Sequence, residues 1–513
     1  MVGSVISHAS LVLLLYGFES RLDFSLRFWF RGGFKILYFT DSKENMRKLL
    51  DKFYNEDVED FCTRLLYFFN TIDSYFFIAG LSSFFFYLVY FDVSYSVIPF
   101  LLIFGSVYGV YRICDFYPLF VLLSPFFLFF LLQMPDFSFQ VCGILLALNT
   151  VVFVVIQILF MGIPDSIVSR DPTISFRKLW NSIFTIAPTT VSLSMSLFFS
   201  WLFSLILVFR PSPLENNGLL FWVTIFLAAG ITYYFRPKSF VSENFKPETN
   251  GKIVDKVIVL NIDGCRLDKF KEANLPFLTA LKEKNTYSPD GLQTVYRALT
   301  NPAFASILTG AVPEIHGIKN NNLGQTIKVE GLPDLVKSKL YGSMHVKHFS
   351  KPEWETKIVS LPTHGIYKSD DIMMDLLKED LLADDGTRLF VADLSEVDFL
   401  GHAYGSDSLN YIEAIRRADK RIEEFFSYLK KKELMDDAVV IICSDHGMVR
   451  IDHSYLLSDA EIYVPFIISG EKIKNNLISY PASIMDITLT ISYLLGIKYP
   501  SHSSGRVFIE AFS

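Results

Sequence analysis

Carboxylate and imidazole side chains follow three apolar, β-branched runs in the C-terminal half of the chain. The runs are residues 257–260, 389–394 and 438–443, and the side chains that follow them are Asp263, Asp398, His402, Asp445 and His446. Such runs predict strands buried on both faces of a parallel sheet, and open α/β sheets bind ligands at the carboxyl ends of their strands. Asp398 and His402 are four residues apart, so on a helical turn they can chelate one ion. The pattern predicts a metal site.

A hydroxyl residue lies at the start of the segment 300–310. Thr300 and Asn301 are typical of helix N-caps, Pro302 suits a first helical turn, and Gly310 favours a helix end. A hydroxyl at a helix N-terminus lies in a positive field that stabilises an alkoxide and a bound phosphate. The segment therefore predicts that the position of Thr300 favours an alkoxide and a bound phosphate, and Ser306 is the next hydroxyl to consider.

The order of these features resembles the alkaline phosphatase superfamily, most closely its nucleotide pyrophosphatase/type I phosphodiesterase branch. The matching motifs are Asp263-Gly264, Thr300-x-Pro302 with Thr309-Gly310, Pro313-Glu314-Ile315-His316-Gly317, the D-x-x-G-H motif at 398–402, and Ser444-Asp445-His446-Gly447. The chain is also similar to the GPI ethanolamine-phosphate transferases, which share the DHGM wording. The resemblance covers Lys256 to the C-terminus. It departs at Asn301, where Phe is usual.

The resemblance implies a site with two divalent metal ions. Mixed Asp/His ligation without sulfur suits Zn2+, with Mn2+ as the alternative. The ligands implied for the first ion are Asp263, Thr300, Asp445 and His446, and those for the second are Asp398, His402 and His453, with His502 as a competitor for His453. Thr300 would attack phosphorus and form a phosphothreonine, while Asn321 would bind a non-bridging phosphate oxygen.

The remaining histidines and cysteines are expected to have structural or peripheral positions. His316 is predicted to be a structural loop residue. Surface or substrate-rim positions are predicted for His345, His348 and His364. Cys265 and Cys443 are predicted to fill small spaces in the core. The five cysteines lack paired spacing, which argues against a disulfide framework or a thiolate zinc site.

The N-terminal half has the composition of a membrane domain. The chain of 513 residues is 51% hydrophobic and 16% aromatic, and its apolar residues concentrate before residue 236. Segments that approach or exceed the roughly 20 apolar residues needed to cross a bilayer are 74–91, 94–111, 113–132, 137–163, 183–209 and 218–234. Residues 3–18 form a further short apolar segment. About six or seven spans are therefore expected.

A basic, aromatic segment precedes these spans. Residues 23–39 place Arg27, Arg31 and Lys35 four apart among aromatic residues, which predicts an amphipathic helix at the membrane interface. The alternative is a basic soluble helix. The distribution of Lys and Arg favours a cytoplasmic C-terminal domain by the positive-inside rule, whereas membrane-attached relatives usually act outside the cytoplasm. The protein is thus expected to be an integral multi-pass membrane protein, and the side of the membrane on which the catalytic domain lies is left open.

The composition predicts a membrane domain at 1–235, with the basic segment near 23–64, and a linker at 236–255. The resemblance implies an alkaline phosphatase-like domain at 256–513. The last is predicted to be a doubly wound α/β domain following an α-helical multi-span bundle. Its predicted elements include helices at 276–284, 371–382, 408–431 and 484–495, and a closing strand at 505–508.

The function expected from these observations is that of a membrane-bound, metal-dependent phosphodiesterase or phosphotransferase acting through a threonine. Its substrate would be a lipid-linked or nucleotide phosphoester, and membrane lipids are its expected partners. The alternative is an inactive membrane scaffold or transporter-like protein; inactivation normally removes a nucleophile or ligand, and none is missing here. A net charge of −7 without a basic patch argues against nucleic acid as a partner. The sequence leaves the acceptor and the oligomeric state open.

Overall fold

The structure is a computed structural model, and it describes the C-terminal half of the chain and short parts of the N-terminal half. The described residues are 56–69, 158–169, 172–181, 229–249 and 251–512 except 323, 384 and 455, with a few single positions between 105 and 227. Most residues of the predicted spans lie outside these residues, and the segments 3–18 and 23–39 lie wholly outside them. Within the described ranges, no helix combines the length and the apolar character needed to cross a membrane.

Contacts between Cα atoms divide the chain into two compact units. One unit comprises residues 1–64, 163–178 and 238–513, and the other comprises residues 65–162 and 179–237. The first unit contains every residue that the sequence motifs single out. Besides the C-terminal residues, it includes parts of helix α1 (Glu56–Phe69), all of α2 (Ile163–Ser169) and part of α3 (Pro172–Asn181).

A seven-stranded sheet forms the centre of the first unit. The strands in chain order are β1 (Lys256–Ile262), β2 (Thr286–Tyr287), β3 (Leu292–Gln293), β4 (Ser338–Gly342), β5 (Glu355–Ile358), β6 (Leu389–Leu394), β7 (Ala438–Cys443), β8 (Tyr463–Val464) and β9 (Phe466–Ser469). The order across the sheet is β2-β9-β7-β1-β6-β4-β5, and β3 pairs with β8 separately. Strands β7, β1, β6, β4 and β5 are parallel, and β9 runs antiparallel to β7 and β2.

Helices cover both faces of this sheet. Those that follow β1 are α4 (Leu267–Glu272), α5 (Pro276–Lys282), α6 (Thr300–Thr309), α7 (Pro313–His316), α8 (Leu332–Leu335), α9 (Met344–Phe349), α10 (Leu361–His364), α11 (Ile366–Leu382), α12 (Glu396–Tyr404), α13 (Leu409–Lys431), α14 (Asp459–Ile462) and α15 (Asp486–Leu495), with a 3-10 turn at Ile509–Ala511. The predicted α/β architecture of the C-terminal domain is confirmed. The membrane bundle remains a prediction.

Side chains of β1 point alternately into two hydrophobic cores because strand residues alternate between the faces of a sheet. Val257 and Val259 belong to the core that includes α6 and α15. Ile258 and Leu260 belong to the opposite core, which includes α11, α12 and α13. Burial on both faces explains why β1 appears in the sequence as a continuous apolar run, as predicted for a central parallel strand.

The predicted helices form with small differences at their ends. The helix predicted at 408–431 begins at Leu409, with the Ser408 side chain accepting a hydrogen bond from the Tyr411 N–H as its N-cap. The helix predicted at 371–382 begins earlier, at Ile366. Helices α5 and α15 lie within the predicted ranges 276–284 and 484–495.

The closing strand predicted at 505–508 is wrong. Arg506 forms a single bridge with Phe245 rather than joining the sheet. The Arg506 N–H donates to Asp486 Oδ1, and the Phe508 N–H donates to Thr490 Oγ1. Side chains of α15 therefore take the backbone donors that a strand would present to a neighbour.

The segment predicted as a linker packs against the C-terminal part of the unit. Ser242 Oγ donates to Asp486 Oδ2 at 2.5 Å, the Phe245 N–H donates to the Gly505 carbonyl at 3.0 Å, and Lys246 Nζ donates to the Ser503 carbonyl at 2.7 Å. Because these bonds satisfy both backbone and side-chain groups, residues 242–246 are integral to the fold of this unit.

Candidate active site

Asp263 lies at the carboxyl end of the central strand, where β1 turns sharply. Its N–H donates to the Leu394 carbonyl at the end of β6, so the two strand ends are tied together at 3.0 Å. The turn depends on Gly264, which has a φ of +68°, and a Cβ there would lie 2.7 Å from Asp398 Oδ1. Glycine therefore permits both the backbone conformation and the approach of a second carboxylate.

Thr300 lies at the first position of α6, and its hydroxyl faces the same site. The prediction that Thr300 and Asn301 cap this helix is wrong: the N-cap is Leu299, and no side chain caps the helix. Thr300 Oγ1 instead lies 3.2 Å from His446 Nε2. The predicted Pro302 in the first turn and the helix end at Gly310, with a φ of +66°, are confirmed. The hydroxyl is thus available for chemistry because it has no capping role.

Asp398 and His402 share one face of α12, as their spacing predicts. His402 Nε2 lies 3.4 Å from Asp398 Oδ2. His453, from the loop after β7, joins them, with its Nε2 3.5 Å from Asp398 Oδ1 and 3.2 Å from His402 Nε2. The competing residue, His502, is exposed and hydrogen-bonds to Ser501.

His446 is the centre of the second group. Its Nε2 lies 3.3 Å from Asp263 Oδ1 and 3.5 Å from Asp445 Oδ2. Potential ligand atoms of Asp263, Asp398 and His446 lie within 4.8 Å of one another, and so do those of Asp398, His402 and His453. Asp398 thus offers an oxygen to each group. The structure brings together all seven residues that the sequence proposes as metal ligands.

The three imidazoles present the same nitrogen to the site. His402 Nδ1 lies 2.7 Å from the Ile451 carbonyl, His446 Nδ1 lies 2.9 Å from the Gly447 carbonyl, and His453 Nδ1 lies 2.5 Å from the Ala298 carbonyl. A carbonyl accepts only, so each Nδ1 carries the proton and each Nε2 keeps its lone pair when the ring is neutral. This is the orientation that outer hydrogen bonds give to metal-binding histidines.

Several polar atoms of the site lack partners among the described residues. Buried oxygens without a hydrogen bond are Asp263 Oδ1, Asp398 Oδ1 and Asp445 Oδ2. Buried polar atoms usually have partners, and unpaired carboxylate oxygens are costly to bury. With the facing lone pairs of His402 and His453, these oxygens form a donor set that fits divalent cations. The residues present therefore fit the predicted metal ions.

Burial and mutual repulsion shift the pKa values of these groups strongly. Burial, reinforced by the charges of Asp445 and Asp398, raises the pKa of Asp263 well above its ordinary value. Burial also raises the pKa of Asp445 to about 6, although His446 opposes that shift. Burial lowers the pKa of His453 well below its ordinary value. Such clustering of perturbed carboxylates is typical of functional sites, and bound cations would relieve the repulsion.

Asp398 shows the opposite behaviour because it lies among imidazoles. Burial raises its pKa, but His402, His453 and His446 together lower it below the ordinary range. Burial lowers the pKa of His402, and Asp398 more than compensates, so that the net pKa is raised. These opposite shifts make Asp398 the most readily ionised carboxylate of the site.

Asn321 lies next to the start of α6. Its Oδ1 accepts a hydrogen bond from the Asn301 N–H at 2.9 Å, and its Nδ2 has no partner among the described residues. The amide is therefore oriented with its donor free for an anion, as the predicted phosphate contact requires. Asn301 itself is 2% exposed, and its Oδ1 lacks a partner in the described part of the chain.

The other histidines divide into buried and peripheral residues. The prediction that His345 is a surface or rim residue is wrong: it is 4% exposed, with Nδ1 2.6 Å from Ser343 Oγ and Nε2 3.0 Å from Asp393 Oδ2. His364 is exposed, and His348 is partly buried beside Asp60. The pairing of His345 with Asp393 could not be predicted, because Asp393 lies within an otherwise apolar strand and the two residues are far apart in the chain.

The structural histidine and the cysteines follow the predictions. His316 is fully buried, its Nδ1 accepts from the Ile318 N–H, and its Nε2 lies 3.1 Å from Ser306 Oγ. Burial lowers the pKa of His316 to about 3, so the ring is neutral. Cys265 and Cys443 are fully buried in the core, and the cysteines in the described part of the chain form no disulfide.

Sequence reasoning missed a buried clamp that holds α12. Asp370 accepts hydrogen bonds from the Ser395 and Glu396 N–H groups at the start of this helix. Glu396 is buried and paired with Arg421 at 2.5 Å and with Arg417. The sequence signal for this clamp was the pair Arg417 and Arg421 on α13. Their shared partner, Glu396, lies 21 and 25 residues earlier in the chain. Since α12 carries Asp398 and His402, the clamp positions two of the ligands.

The family comparison agrees with this geometry. Residues 257–331 and 333–465 match the family model described as "Type I phosphodiesterase / nucleotide pyrophosphatase". The C-terminal domain is similar to this family, and it is named the phosphodiesterase domain for that similarity. The match includes β1, α6, α12 and the Asp445-His446 loop, and it therefore covers every predicted ligand of the phosphodiesterase domain.

Curated relatives resemble the same part of the chain. An uncharacterized pyrophosphatase/phosphodiesterase of Schizosaccharomyces pombe is 28% identical over 229 residues, which are 39% of this chain and 46% of that protein. The human ectonucleotide pyrophosphatase/phosphodiesterase family member 1 is 28% identical over 217 residues, which are 37% of this chain and 23% of that protein. The mouse bis(5'-adenosyl)-triphosphatase enpp4 is 25% identical over 252 residues. The chain spans about half or less of the length of these relatives.

Solved structures similar to the phosphodiesterase domain are more distant in sequence. Murine ectonucleotide pyrophosphatase/phosphodiesterase 5 has 16% identity and a TM-score of 0.42, covering 49% of this chain and 97% of that one. Wild-type alkaline phosphatase PafA has 13% identity and a TM-score of 0.40, covering 53% of this chain and all of that one.

Proposed function

We propose that this protein is a metal-dependent phosphoester hydrolase or phosphotransferase that uses Thr300 as its nucleophile. The observation that carries the proposal is the position of Thr300 Oγ1, 3.2 Å from His446 Nε2 at the edge of the clustered Asp and His side chains. The match of residues 257–331 and 333–465 to the type I phosphodiesterase/nucleotide pyrophosphatase model supports a phosphoester as the substrate.

The first step requires Thr300 to attack phosphorus. Thr300 Oγ1 gives up its proton to solvent and forms a bond to phosphorus while the bond from phosphorus to the leaving oxygen breaks. That oxygen leaves with the electron pair and takes a proton from water. Thr300 lies in the first turn of α6, where the positive end of the helix dipole favours the alkoxide form that attacks. Asn321 Nδ2 would donate to a non-bridging oxygen and orient the phosphate.

In the second step the phosphoryl group leaves Thr300. The oxygen of water or of an acceptor alcohol bonds to phosphorus, and Thr300 Oγ1 departs and recovers a proton. Hydrolysis and transfer thus use the same residues and differ only in the acceptor. Thr300, Asp263 and His453 are each less than 10% exposed, whereas the His402 side chain is 19% exposed, so the approach proposed for the acceptor is from the side of His402.

Two divalent cations are proposed as cofactors, with zinc favoured and manganese as the alternative. Asp263, Asp445, His446 and Thr300 would hold one, and Asp398, His402 and His453 the other, with an Asp398 oxygen in reach of both groups. When bound, they would supply Lewis-acid charge that lowers the pKa of the nucleophile and stabilises the leaving oxygen. Mixed nitrogen and oxygen donors without thiolates are the basis for this choice.

Membrane attachment and a lipid-linked or nucleotide substrate are part of the same proposal. Their support is the apolar N-terminal sequence, which is far longer than one anchoring span requires. The basic segment near residues 23–39 would attract anionic head groups to the interface. An inactive scaffold is the alternative, and the complete set of Asp, His and Thr positions argues against it.

The test is turnover of nitrophenyl phosphate monoesters and diesters by full-length wild-type protein and two hydroxyl variants. Thr300→Ala should abolish turnover while the bound metal remains near the wild-type amount. Ser306→Ala is the matched control, because Ser306 Oγ lies on the same helix but faces His316. Full activity in Thr300→Ala, or a loss confined to Ser306→Ala, would refute the assignment.

A further inference from the structure

Residues 163–178 pack on the helix that carries two of the proposed metal ligands. Helix α2 contacts α10, and Ile174 of α3 is 2% exposed within the core that contains Leu400 of α12. These residues belong to the same compact unit as the phosphodiesterase domain. The segment is therefore built into the wall of the domain near α12.

This segment places two cations over α12. The guanidinium carbon of Arg177 lies 4.9 Å from the ring centroid of Tyr404, and Lys178 Nζ lies 5.7 Å from the ring centroid of Phe399. Phe399 directly follows Asp398, and Tyr404 lies two residues beyond His402.

Lys178 keeps donors that no described residue uses. Its one hydrogen-bond partner in the described part of the chain is Asp165 Oδ1, at 3.4 Å, and the Lys178 side chain is 25% exposed. An ammonium group has three donors, so a single long contact leaves room for an anion. Arg177 is exposed, and it too could donate to an anion held beside α12.

We propose that Lys178 and Arg177 form an anion subsite that binds a second phosphate of the substrate, distinct from the phosphate that Thr300 attacks. The proposal rests on the proposed function, and it names the substrate class as phosphodiesters whose alcohol group carries its own phosphate. A lysine acts as a compact point charge for phosphate, and an arginine adds directed donors. The subsite lies beside Phe399 and Tyr404 of α12, the helix that also carries Asp398 and His402.

Binding to full-length protein tests the subsite without requiring turnover. The probes are glycerophosphoinositol and glycerophosphoinositol 4-phosphate in solution, and phosphatidylinositol and phosphatidylinositol 4-phosphate in phosphatidylcholine nanodiscs. Each pair differs by one phosphate, and the two pairs distinguish a free from a lipid-borne source. Wild-type protein should bind the phosphorylated member of at least one pair about tenfold more tightly. Equal affinities within both pairs would overturn the proposal.

Four variants separate this role from a structural one. Lys178→Gln should remove the preference, Lys178→Arg should keep it, and Asp165→Asn should strengthen it because the competing carboxylate is gone. Lys420→Gln, which removes a 74% exposed lysine of α13, is the control for lost charge and should change nothing. A preference that survives in folded Lys178→Gln would overturn the proposal.

Nitrophenyl diester turnover reports separately on the proposed function, since those substrates carry no second phosphate.

Discussion

At the scale of residues, the site depends on atoms that have no protein partner. The unpaired oxygens of Asp263, Asp398 and Asp445 lie beside imidazole nitrogens whose opposite sides are held by backbone carbonyls. Burying such a set without a cation is unfavourable because like charges repel where water is excluded. Metal binding therefore explains this arrangement of side chains better than packing does.

The first prediction concerns Asp398, which reaches both groups. Purified full-length protein should contain about two divalent ions per chain, and Asp398→Asn should lose at least one of them because the amide carries no charge. Elemental analysis after purification without chelators measures the content. Asp375→Asn, which changes a 69% exposed carboxylate of α11, is the control and should keep the wild-type content. Wild-type protein without bound transition metal would contradict the account.

The second prediction concerns pH and His316. Burial lowers its folded pKa to about 3, below the ordinary 6.5, so protons bind the unfolded chain preferentially as the pH falls below 6.5. The free energy of unfolding should therefore be about 1.4 kcal/mol lower at pH 5.5 than at pH 7.5. Thermal unfolding midpoints in detergent at pH 7.5 and 5.5 measure this. His316→Gln, which keeps a donor and an acceptor, should show a smaller decrease; an equal decrease would exclude the role of His316.

At the scale of elements, the central strands and the shared helix face of Asp398 and His402 could be predicted from the sequence. The tertiary contacts that position those elements could not. The buried strands β1, β6 and β7 follow from continuous apolar runs, and the shared face of Asp398 and His402 follows from their four-residue spacing. The clamp of α12 depends on partners from α11 and α13, which no local pattern reveals. Thr300 was expected to cap α6 because threonine favours that position, but the hydroxyl faces His446 instead.

The third prediction tests the α12 clamp. Arg421→Gln removes one partner of the buried Glu396 carboxylate, so it should destabilise the domain by about 3 kcal/mol. It should also lower metal content, because Asp398 lies two residues from Glu396. Lys420→Gln, at the neighbouring exposed position, should leave both properties unchanged. Thermal unfolding and elemental analysis report the two effects, and normal metal content in a destabilised Arg421→Gln would show that the clamp is purely structural.

At the scale of the whole molecule, the sequence combines an apolar N-terminal half with a C-terminal phosphodiesterase domain. The phosphodiesterase domain is specified by motifs that stand in family order, so its fold could be predicted from the sequence. The location of residues 163–178 could not, because a polar stretch between two apolar segments resembles an ordinary loop. Its packing with the phosphodiesterase domain depends on the buried side chain of Ile174 and on the aromatic contacts of Arg177 and Lys178.

The fourth prediction is that the preferred substrate is lipid-linked. Full-length protein in vesicles should cleave lipid phosphoesters faster than soluble nucleotide diesters of the same concentration, because the apolar N-terminal half would hold the protein where such lipids are. Release of the water-soluble product measures the first reaction, and nitrophenolate measures the second. Thr300→Ala in the same vesicles is the control for lipid hydrolysis by contaminants. Cleavage of soluble diesters alone would refute the lipid part of the proposal.

The central claim is that Thr300 carries the phosphoryl group between the two steps. The most direct measurement is mass spectrometry of the peptide containing Thr300 after turnover of 4-nitrophenyl phosphate is quenched with acid. We expect a single phosphate on Thr300 in wild-type protein and none on this peptide in Thr300→Ala. Phosphate on another residue, or undiminished turnover with Thr300 never modified, would contradict it.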